Sequence, residues 1–257
     1  MSQTTPADWP YPRWVAHRGA GKLAPENTLA AFRLGAAHGW RMFECDVKLS
    51  ADGVPFLLHD ATLERTTNGS GTAGALAWPA LETLDAGNWH SPTYQGEPLP
   101  TLEAVASFCL DHGYALNIEI KPTPGQEDET GRVVAQHAER LWRLRGAGTG
   151  AGIPWPLMTS FSPEALAAAR NAAPVLPRGL LLQDWWPGWD QAAKERGCLA
   201  IVAHHPIWTP ATVQQVHANG WRALSYTVND EETAQRLWAM GLDGLITDAV
   251  DRFSPQA

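Results

Sequence analysis

Short apolar runs alternate along this chain with longer amphipathic segments. Eight of the runs have the length and composition of buried β-strands. They are Trp14–His17, Met42–Leu49, Ala115–Lys121, Leu157–Phe161, Gly179–Gln183, Leu199–His204, Ala223–Val228 and Gly244–Thr247. An amphipathic segment follows nearly every run, as expected for parallel strands that are connected by helices.

Seven segments are predicted to be helices: Thr28–His38, Leu102–Asp111, Gly131–Arg143, Pro163–Ala172, Gly188–Arg196, Pro210–Ala218 and Asp230–Met240. Two of them begin with a capping residue and a proline, at Ser162-Pro163 and Thr209-Pro210. A single α/β barrel commonly occupies about 250 residues, and this chain has 257. The alternation therefore predicts one closed (β/α)8 barrel, which forms a single catalytic domain over residues 11–252.

One region breaks the alternation. Pro55–His59 is predicted to be a short strand, turned back on the second strand by Ala51-Asp52-Gly53. Residues 61–100 then form a predicted insertion in the second β–α connection. A loop of this length in a compact domain is usually functional or disordered.

The net charge of −8, with no basic block, argues against a nucleic-acid surface. The first residues lack a signal-peptide pattern, and no stretch reaches the roughly 18 apolar residues of a membrane span. We therefore expect a cytoplasmic protein without stable membrane association. The three cysteines, Cys45, Cys109 and Cys198, are expected to be buried thiols. The oligomeric state is left open.

Charged residues occur where predicted strands end. Side chains two apart on a strand share a face, so Glu44 points with Asp46, and Glu119 with Lys121. Converging carboxylates must take up protons or hold a cation. The sequence therefore predicts that Glu44, Asp46 and Glu119 bind one divalent cation, Mg²⁺ or Ca²⁺. The alternative is an ordinary Glu119–Lys121 ion pair, with Glu44 and Asp46 capping nearby loops.

Two histidines follow predicted strands near these carboxylates, in His17-Arg18-Gly19 and His59-Asp60. Histidine transfers protons in either direction near neutral pH. Cleavage of a phosphodiester needs one group that activates the nucleophile and another that protonates the departing alkoxide. We expect His17 and His59 to fill these roles, with Arg18 and Lys121 binding phosphate oxygens.

Six motifs follow one another along the chain: His17-Arg18-Gly19, Pro25-Glu26-Asn27-Thr28, Glu44-x-Asp46, His59-Asp60 with Thr62-Leu63 and Arg65-Thr66, Glu119-x-Lys121, and Asp243-Gly244-x-x-Thr247-Asp248. Together they resemble the glycerophosphodiester phosphodiesterase family, in particular its cytosolic bacterial branch associated with glycerol-phosphate uptake. Each motif alone is weak, but their order and spacing are specific over nearly the whole chain.

The resemblance implies a TIM barrel with a small insertion after the second strand. It implies hydrolysis of small-molecule glycerophosphodiesters, such as glycerophosphocholine or glycerophosphoethanolamine, to sn-glycerol 3-phosphate and an alcohol. His17 is assigned as base and His59 as acid, with the glycerol 2-hydroxyl attacking first to form a cyclic phosphate. Tyr226 stands where family members often have a tryptophan, and it is expected to form an aromatic wall against the substrate.

Two other interpretations remain open at this point. The substrate could be an intact phospholipid, although only the tryptophans of the segment 185–189 suggest an apolar rim. The barrel could also bind phosphate esters without catalysis, although none of the expected catalytic side chains is missing. His204-His205 follows the sixth predicted strand, where it could contact the alcohol end of a substrate.

Overall fold

The structure is a computed structural model that describes residues 9–149 and 152–255. Its strands are β1 Trp14–Ala16, β2 Met42–Leu49, β3 Pro55–Leu57, β4 Ala115–Ile120, β5 Leu157–Ser160, β6 Arg178–Leu182, β7 Ala200–His204, β8 Arg222–Tyr226 and β9 Gly244–Thr247. All of these except β3 pair in parallel, and β1 pairs with both β2 and β9, which closes the sheet. The predicted TIM barrel is confirmed.

The α-helices are α1 Leu29–Ala37, α2 Trp78–Leu81, α3 Leu102–His112, α4 Glu127–Leu144, α5 Pro163–Ala172, α6 Trp189–Glu195, α7 Pro210–Ala218 and α8 Glu231–Met240. Side-chain oxygens of Thr28, Thr101, Ser162, Thr209 and Asp230 cap their first turns. Helices α5 and α7 therefore begin directly after the predicted capping residues Ser162 and Thr209.

Helix α4 begins four residues before the predicted start at Gly131. Three acidic residues, Glu127, Asp128 and Glu129, occupy its first turn, where they interact favourably with the helix dipole. Gly131 lies inside the helix, where its lack of a side chain allows α5 to pack closely against it. A Cβ atom at Gly131 would lie 2.2 Å from the carbonyl oxygen of Ala165.

The segment between β3 and α3 has more local structure than its sequence suggests. It contains α2 and two 3-10 turns, Ala73–Ala75 and Pro92–Tyr94. Such short elements have no detectable hydrophobic period, so the sequence predicts only an irregular stretch. The segment encloses a small apolar cluster of its own, formed by Phe56, Leu58, Leu63, Ala73, Leu81, Ala86 and Leu99. The bounds 61–100 for the insertion stay a prediction.

The barrel register brings the predicted carboxylates side by side. Strands β2 and β4 pair in parallel with Asp46 opposite Glu119. Between these charged positions, Phe43, Cys45 and Val47 pack in the apolar layer that the strands share with the helices. The alternation of faces along β2 is therefore as predicted. Cys45, Cys109 and Cys198 are buried free thiols, as expected.

Candidate active site

A cavity of about 210 Å³ opens at the carboxyl ends of the barrel strands, where TIM barrels carry their active sites. Seven of the eight side chains predicted from the sequence line it, namely His17, Arg18, Glu44, His59, Glu119, Lys121 and Tyr226. The eighth, Asp46, is fully buried next to Glu44 and Glu119. The barrel thus brings all of the predicted site residues together.

The three carboxylates form a compact buried cluster. One oxygen from each of Glu44, Asp46 and Glu119 lies within 4.8 Å of the other two. Among the residues that the structure describes, Glu44 Oε1 and Asp46 Oδ1 are buried without a hydrogen-bond partner. Buried polar atoms are normally paired, and all-oxygen donor sets suit hard divalent cations. The cluster therefore has the chemistry of a cation site.

The ionisation of these groups is strongly uneven. Burial, and after it the charge of Asp46, raises the pKa of Glu44 well above its usual value. The same two causes raise the pKa of Glu119 to about 7. Burial also acts to raise the pKa of Asp46, but Arg18 and Lys121 hold it well below its usual value. Negative charge is thus concentrated on Asp46, and a cation would favour ionisation of the other two.

Two cationic side chains border the carboxylates. Arg18 Nε lies 3.1 Å from Asp46 Oδ2, and Arg18 Nη1 donates a 2.7 Å hydrogen bond to Glu26 Oε1. Lys121 Nζ lies 2.7 Å from Glu119 Oε1 and 3.5 Å from Asp46 Oδ1. The simple Glu119–Lys121 ion pair considered above is therefore present, but it is one part of a larger charged cluster that faces the cavity.

Each histidine is oriented by a carboxylate. His17 Nδ1 lies 2.6 Å from Asp248 Oδ1, and its Nε2 lies 3.7 Å from Glu44 Oε2. His59 Nδ1 lies 2.7 Å from Asp60 Oδ1. Burial lowers the pKa of His59, while the charge of Asp46 and the hydrogen bond with Asp60 act to raise it. A carboxylate at Nδ1 leaves Nε2 of each ring as the nitrogen available for proton transfer.

The loop after β1 needs an unusual backbone. Arg18 has a φ of 50° and Gly19 a φ of 97°, a left-handed region that glycine adopts without steric cost. A Cβ atom at Gly19 would lie 2.8 Å from Ala31 Cβ. In this loop the backbone N–H of Arg18 donates a 3.0 Å hydrogen bond to Glu44 Oε2.

The opposite side of the cavity is aromatic. Tyr226 stacks on His204 and meets the edge of Phe161, with ring centroids 5.8 and 5.7 Å apart. Its hydroxyl donates to the carbonyl oxygen of Leu182 at 3.0 Å. Burial raises the pKa of Tyr226 well above its usual range, so the hydroxyl is neutral. The predicted aromatic wall is therefore in place, and its role stays a prediction.

The tryptophans after β6 pack mainly among themselves. Trp185 lies against Trp189 and Trp208, and its indole N–H donates to the carbonyl oxygen of Ile207 at 2.9 Å. Trp186 is more exposed, at 38%. Trp185 and Trp189 thus serve in packing, and Trp186 is the exposed tryptophan of the segment.

Several side chains around the site have no role assigned from the sequence. Asp248 follows β9 and contacts His17, while Asn27 Nδ2 donates to Asp46 Oδ2 at 2.8 Å. Glu26 and Arg65 form a further ion pair at 2.8 Å. All four lie within the motifs quoted above. Membership in those motifs is the sequence signal by which they could have been found. Sequence order alone did not indicate which partner each would meet.

The cavity combines a carboxylate cluster, two cationic side chains and two histidines. These groups are suited to the hydrolysis of a phosphodiester. A model of the glycerophosphoryl diester phosphodiesterase family matches residues 17–252. A glycerophosphodiester phosphodiesterase of Caldanaerobacter subterraneus subsp. tengcongensis is 32% identical over 244 residues, which cover 91% of this chain and 93% of that protein. Another from Bacillus subtilis is 29% identical and covers 93% of this chain and 84% of that protein.

A solved structure shows the same likeness. A phosphodiesterase of Oleispira antarctica, in complex with the product sn-glycerol-3-phosphate, superposes with a TM-score of 0.86. It is 33% identical, and the match covers 94% of this chain and 95% of that one. The chain belongs to the glycerophosphoryl diester phosphodiesterase family. The expected family, fold and enzyme class are thus confirmed. Within the described ranges, no helix is both long and apolar enough to cross a bilayer.

Proposed function

We propose that this enzyme hydrolyses soluble glycerophosphodiesters, such as glycerophosphocholine or glycerophosphoethanolamine, to sn-glycerol 3-phosphate and an alcohol. The observation that carries the proposal is the placement of His17 and His59, each held by a carboxylate, beside a cation-binding cluster in one cavity. The product bound to the Oleispira antarctica relative agrees with this substrate class.

His17 acts as the general base in this proposal. Its Nδ1–H donates to Asp248, which leaves the Nε2 lone pair free to accept a proton. Burial acts to raise the pKa of Asp248, but the hydrogen bond from His17 keeps it below its usual value. Asp248 therefore stays ionised and can stabilise the imidazolium as His17 removes the proton of the attacking glycerol 2-hydroxyl.

His59 acts as the general acid that protonates the departing alkoxide. Asp60 stabilises the protonated ring through Nδ1 at 2.7 Å. Once the cyclic phosphate has formed, the two histidines exchange roles, and water opens the ring. Arg18 and Lys121 bind the non-bridging phosphate oxygens, since both face the cavity with positive charge. Tyr226 packs against the glycerol or alcohol portion.

Glu44, Asp46 and Glu119 would hold one divalent cation, Mg²⁺ or Ca²⁺. Such an ion polarises a phosphoryl oxygen and favours ionisation of a hydroxyl group. The two unpartnered buried oxygens of Glu44 and Asp46 support this choice. The buried free thiols Cys45, Cys109 and Cys198 agree with a reducing, cytoplasmic location.

The test is turnover of glycerophosphocholine by purified protein with Mg²⁺, with Ca²⁺ or after chelation. We expect glycerol 3-phosphate to be released and the rate to be lost on chelation. His17→Ala and His59→Ala should each lower the rate by at least about 10²-fold, the usual share of acid–base catalysis. The exposed His112 on α3 provides a matched control, and His112→Ala should leave the rate unchanged.

Two results would contradict the proposal. Wild-type turnover in either active-site variant would remove that histidine from the mechanism. Tight binding of glycerol 3-phosphate by the wild-type protein, without hydrolysis of any glycerophosphodiester, would indicate a binding protein rather than an enzyme.

A further inference from the structure

Arg65 lies in the segment between β3 and α3, outside the group of residues that line the cavity. We propose that Arg65 is a positioning residue that sets the orientation of His59 through Asp60 and links it to Arg18 through Glu26. This inference rests on the proposed function, because it assigns a task to the acid–base pair of that same site.

The contacts of Arg65 are unusually complete for a partly exposed side chain. Its Nε and Nη2 donate to the two oxygens of Asp60, at 2.6 and 3.0 Å. Its Nη1 and Nη2 donate to the two oxygens of Glu26, both at 2.8 Å. Most surface ion pairs contribute little, but bidentate pairs within a network are the exception.

Both carboxylates contact the proposed catalytic machinery. Asp60 Oδ1 lies 2.7 Å from His59 Nδ1. Glu26 Oε1 accepts a 2.7 Å hydrogen bond from Arg18 Nη1. Hydrogen bonds therefore run without a break from His59 through Asp60, Arg65 and Glu26 to Arg18.

Removal of the Arg65 guanidinium would affect His59 and Arg18, at the two ends of this chain of contacts, unequally. Glu26 would keep its bond to Arg18, and its side chain is 13% exposed. Asp60 is 28% exposed, and its partners in the structure are His59 and Arg65. Asp60 would then be free to turn toward water, away from the like charge of Glu26. His59 should lose its orientation, whereas Arg18 should largely keep its own.

The segment that carries Arg65 holds it firmly. Leu63 and Thr66, on either side, are buried, and Leu63 belongs to the apolar cluster beneath the segment. The packing of this segment outside the barrel thus fixes a charged group that reaches back to the site. Positioning of His59 gives the insertion a function that its irregular sequence does not reveal.

The test measures release of the leaving group in single turnovers with enzyme in excess, so that the later ring-opening step, in which His59 is the base, does not contribute. It compares two diesters that differ in their need for a general acid. Glycerophosphocholine releases an alkoxide that must be protonated, whereas a glycerophospho-p-nitrophenyl ester releases a stable phenolate. Because His59 is the proposed acid, Arg65→Gln should lower the rate of choline release by about 30-fold, a partial loss of the roughly 10²–10⁴-fold that acid–base catalysis contributes. For release of nitrophenolate the loss should stay below about 3-fold.

Two further variants complete the design. Arg143 donates two hydrogen bonds to Glu139 Oε1 on the outside of α4, so Arg143→Gln should alter the release rate of neither diester. Arg65→Lys keeps the charge but lacks the fork that joins both carboxylates, so its loss should fall between wild type and Arg65→Gln. If Arg65→Gln does not fold, Arg65→Lys provides the test through the same ratio of the rates for the two diesters.

Failure of this proposal can be distinguished from failure of the proposed function. His59→Ala should itself lower the single-turnover release of choline far more than that of nitrophenolate. If it does so while the Arg65 variants affect both diesters equally or not at all, the positioning role of Arg65 is wrong. If His59→Ala affects both diesters equally, the acid role of His59 is wrong instead.

Discussion

Two arginines at opposite ends of the barrel, the half-buried Arg18 and the buried Arg178, show how a site differs from a structural support. Arg18 follows β1 at the carboxyl end, and its charge meets Asp46 and Glu26 beside the cavity. Arg178 begins β6 at the amino end, where its Nε donates to the carbonyl oxygen of Arg196 at 2.8 Å and its Nη1 to that of Leu176. Neutral carbonyl groups satisfy one guanidinium, and carboxylates surround the other.

The pKa values of the two arginines shift in opposite directions. Burial lowers the pKa of Arg178. Burial acts in the same direction on Arg18, but Asp46, Glu26 and Glu44 outweigh it and raise the pKa. A buried guanidinium whose partners are backbone carbonyl groups serves to satisfy those hydrogen-bond acceptors. A buried charge placed among other charges at an open cavity is available to a ligand.

The largest expected difference between the two arginines is in catalysis. Arg18→Met should lower kcat/KM for glycerophosphocholine by about 10²–10³-fold, as is typical when a group that stabilises transition-state charge is lost. The measurement is steady-state turnover, with thermal unfolding as a control for folding. A variant that keeps wild-type kcat/KM would show that Arg18 serves only to balance the charge of Asp46.

Substitution of Arg178, at the other end of the barrel, should lower the free energy of unfolding without affecting catalysis. Arg178→Met leaves buried carbonyl oxygens at the amino end without their donor, and we expect unfolding in urea to become easier by about 1–3 kcal/mol. Turnover of the folded variant should equal that of wild type. A selective loss of kcat without loss of stability would contradict the division between the two ends.

A pair of tyrosines provides the smallest test. Tyr11 donates to the carbonyl oxygen of Trp155 at 2.7 Å, and Tyr226 at the cavity donates to that of Leu182 at 3.0 Å. Tyr11→Phe should lower the free energy of unfolding by about 1 kcal/mol, with no change in kinetics. Tyr226→Phe keeps the aromatic wall and should change KM by less than about 5-fold, since one neutral hydrogen bond contributes little.

Equal kinetic effects of the two tyrosine substitutions would contradict the division between the two ends of the barrel. A large loss of kcat in Tyr226→Phe would indicate that the hydroxyl itself takes part in the chemistry.

Much of the fold was predictable because its signals are local. The alternation in Met42–Leu49 defined β2 and placed Glu44 and Asp46 on one face. The prediction for α4 was wrong at its start, since Gly131 looked like a boundary. Its small size is needed for contact with α5, whose approach no local pattern records. The short helix α2 was missed because four residues carry no hydrophobic period.

The sequence by itself determined the chemical groups of the site and the faces of the strands on which they stand. Only the tertiary structure decided which groups meet. Asp248 contacts His17 across 231 residues because β9 pairs with β1 when the barrel closes. Arg65 contacts Glu26 across 39 residues because the insertion folds back over the loop after β1. Ion pairs and hydrogen bonds act over a few ångströms, so these partnerships exist only once the chain is folded.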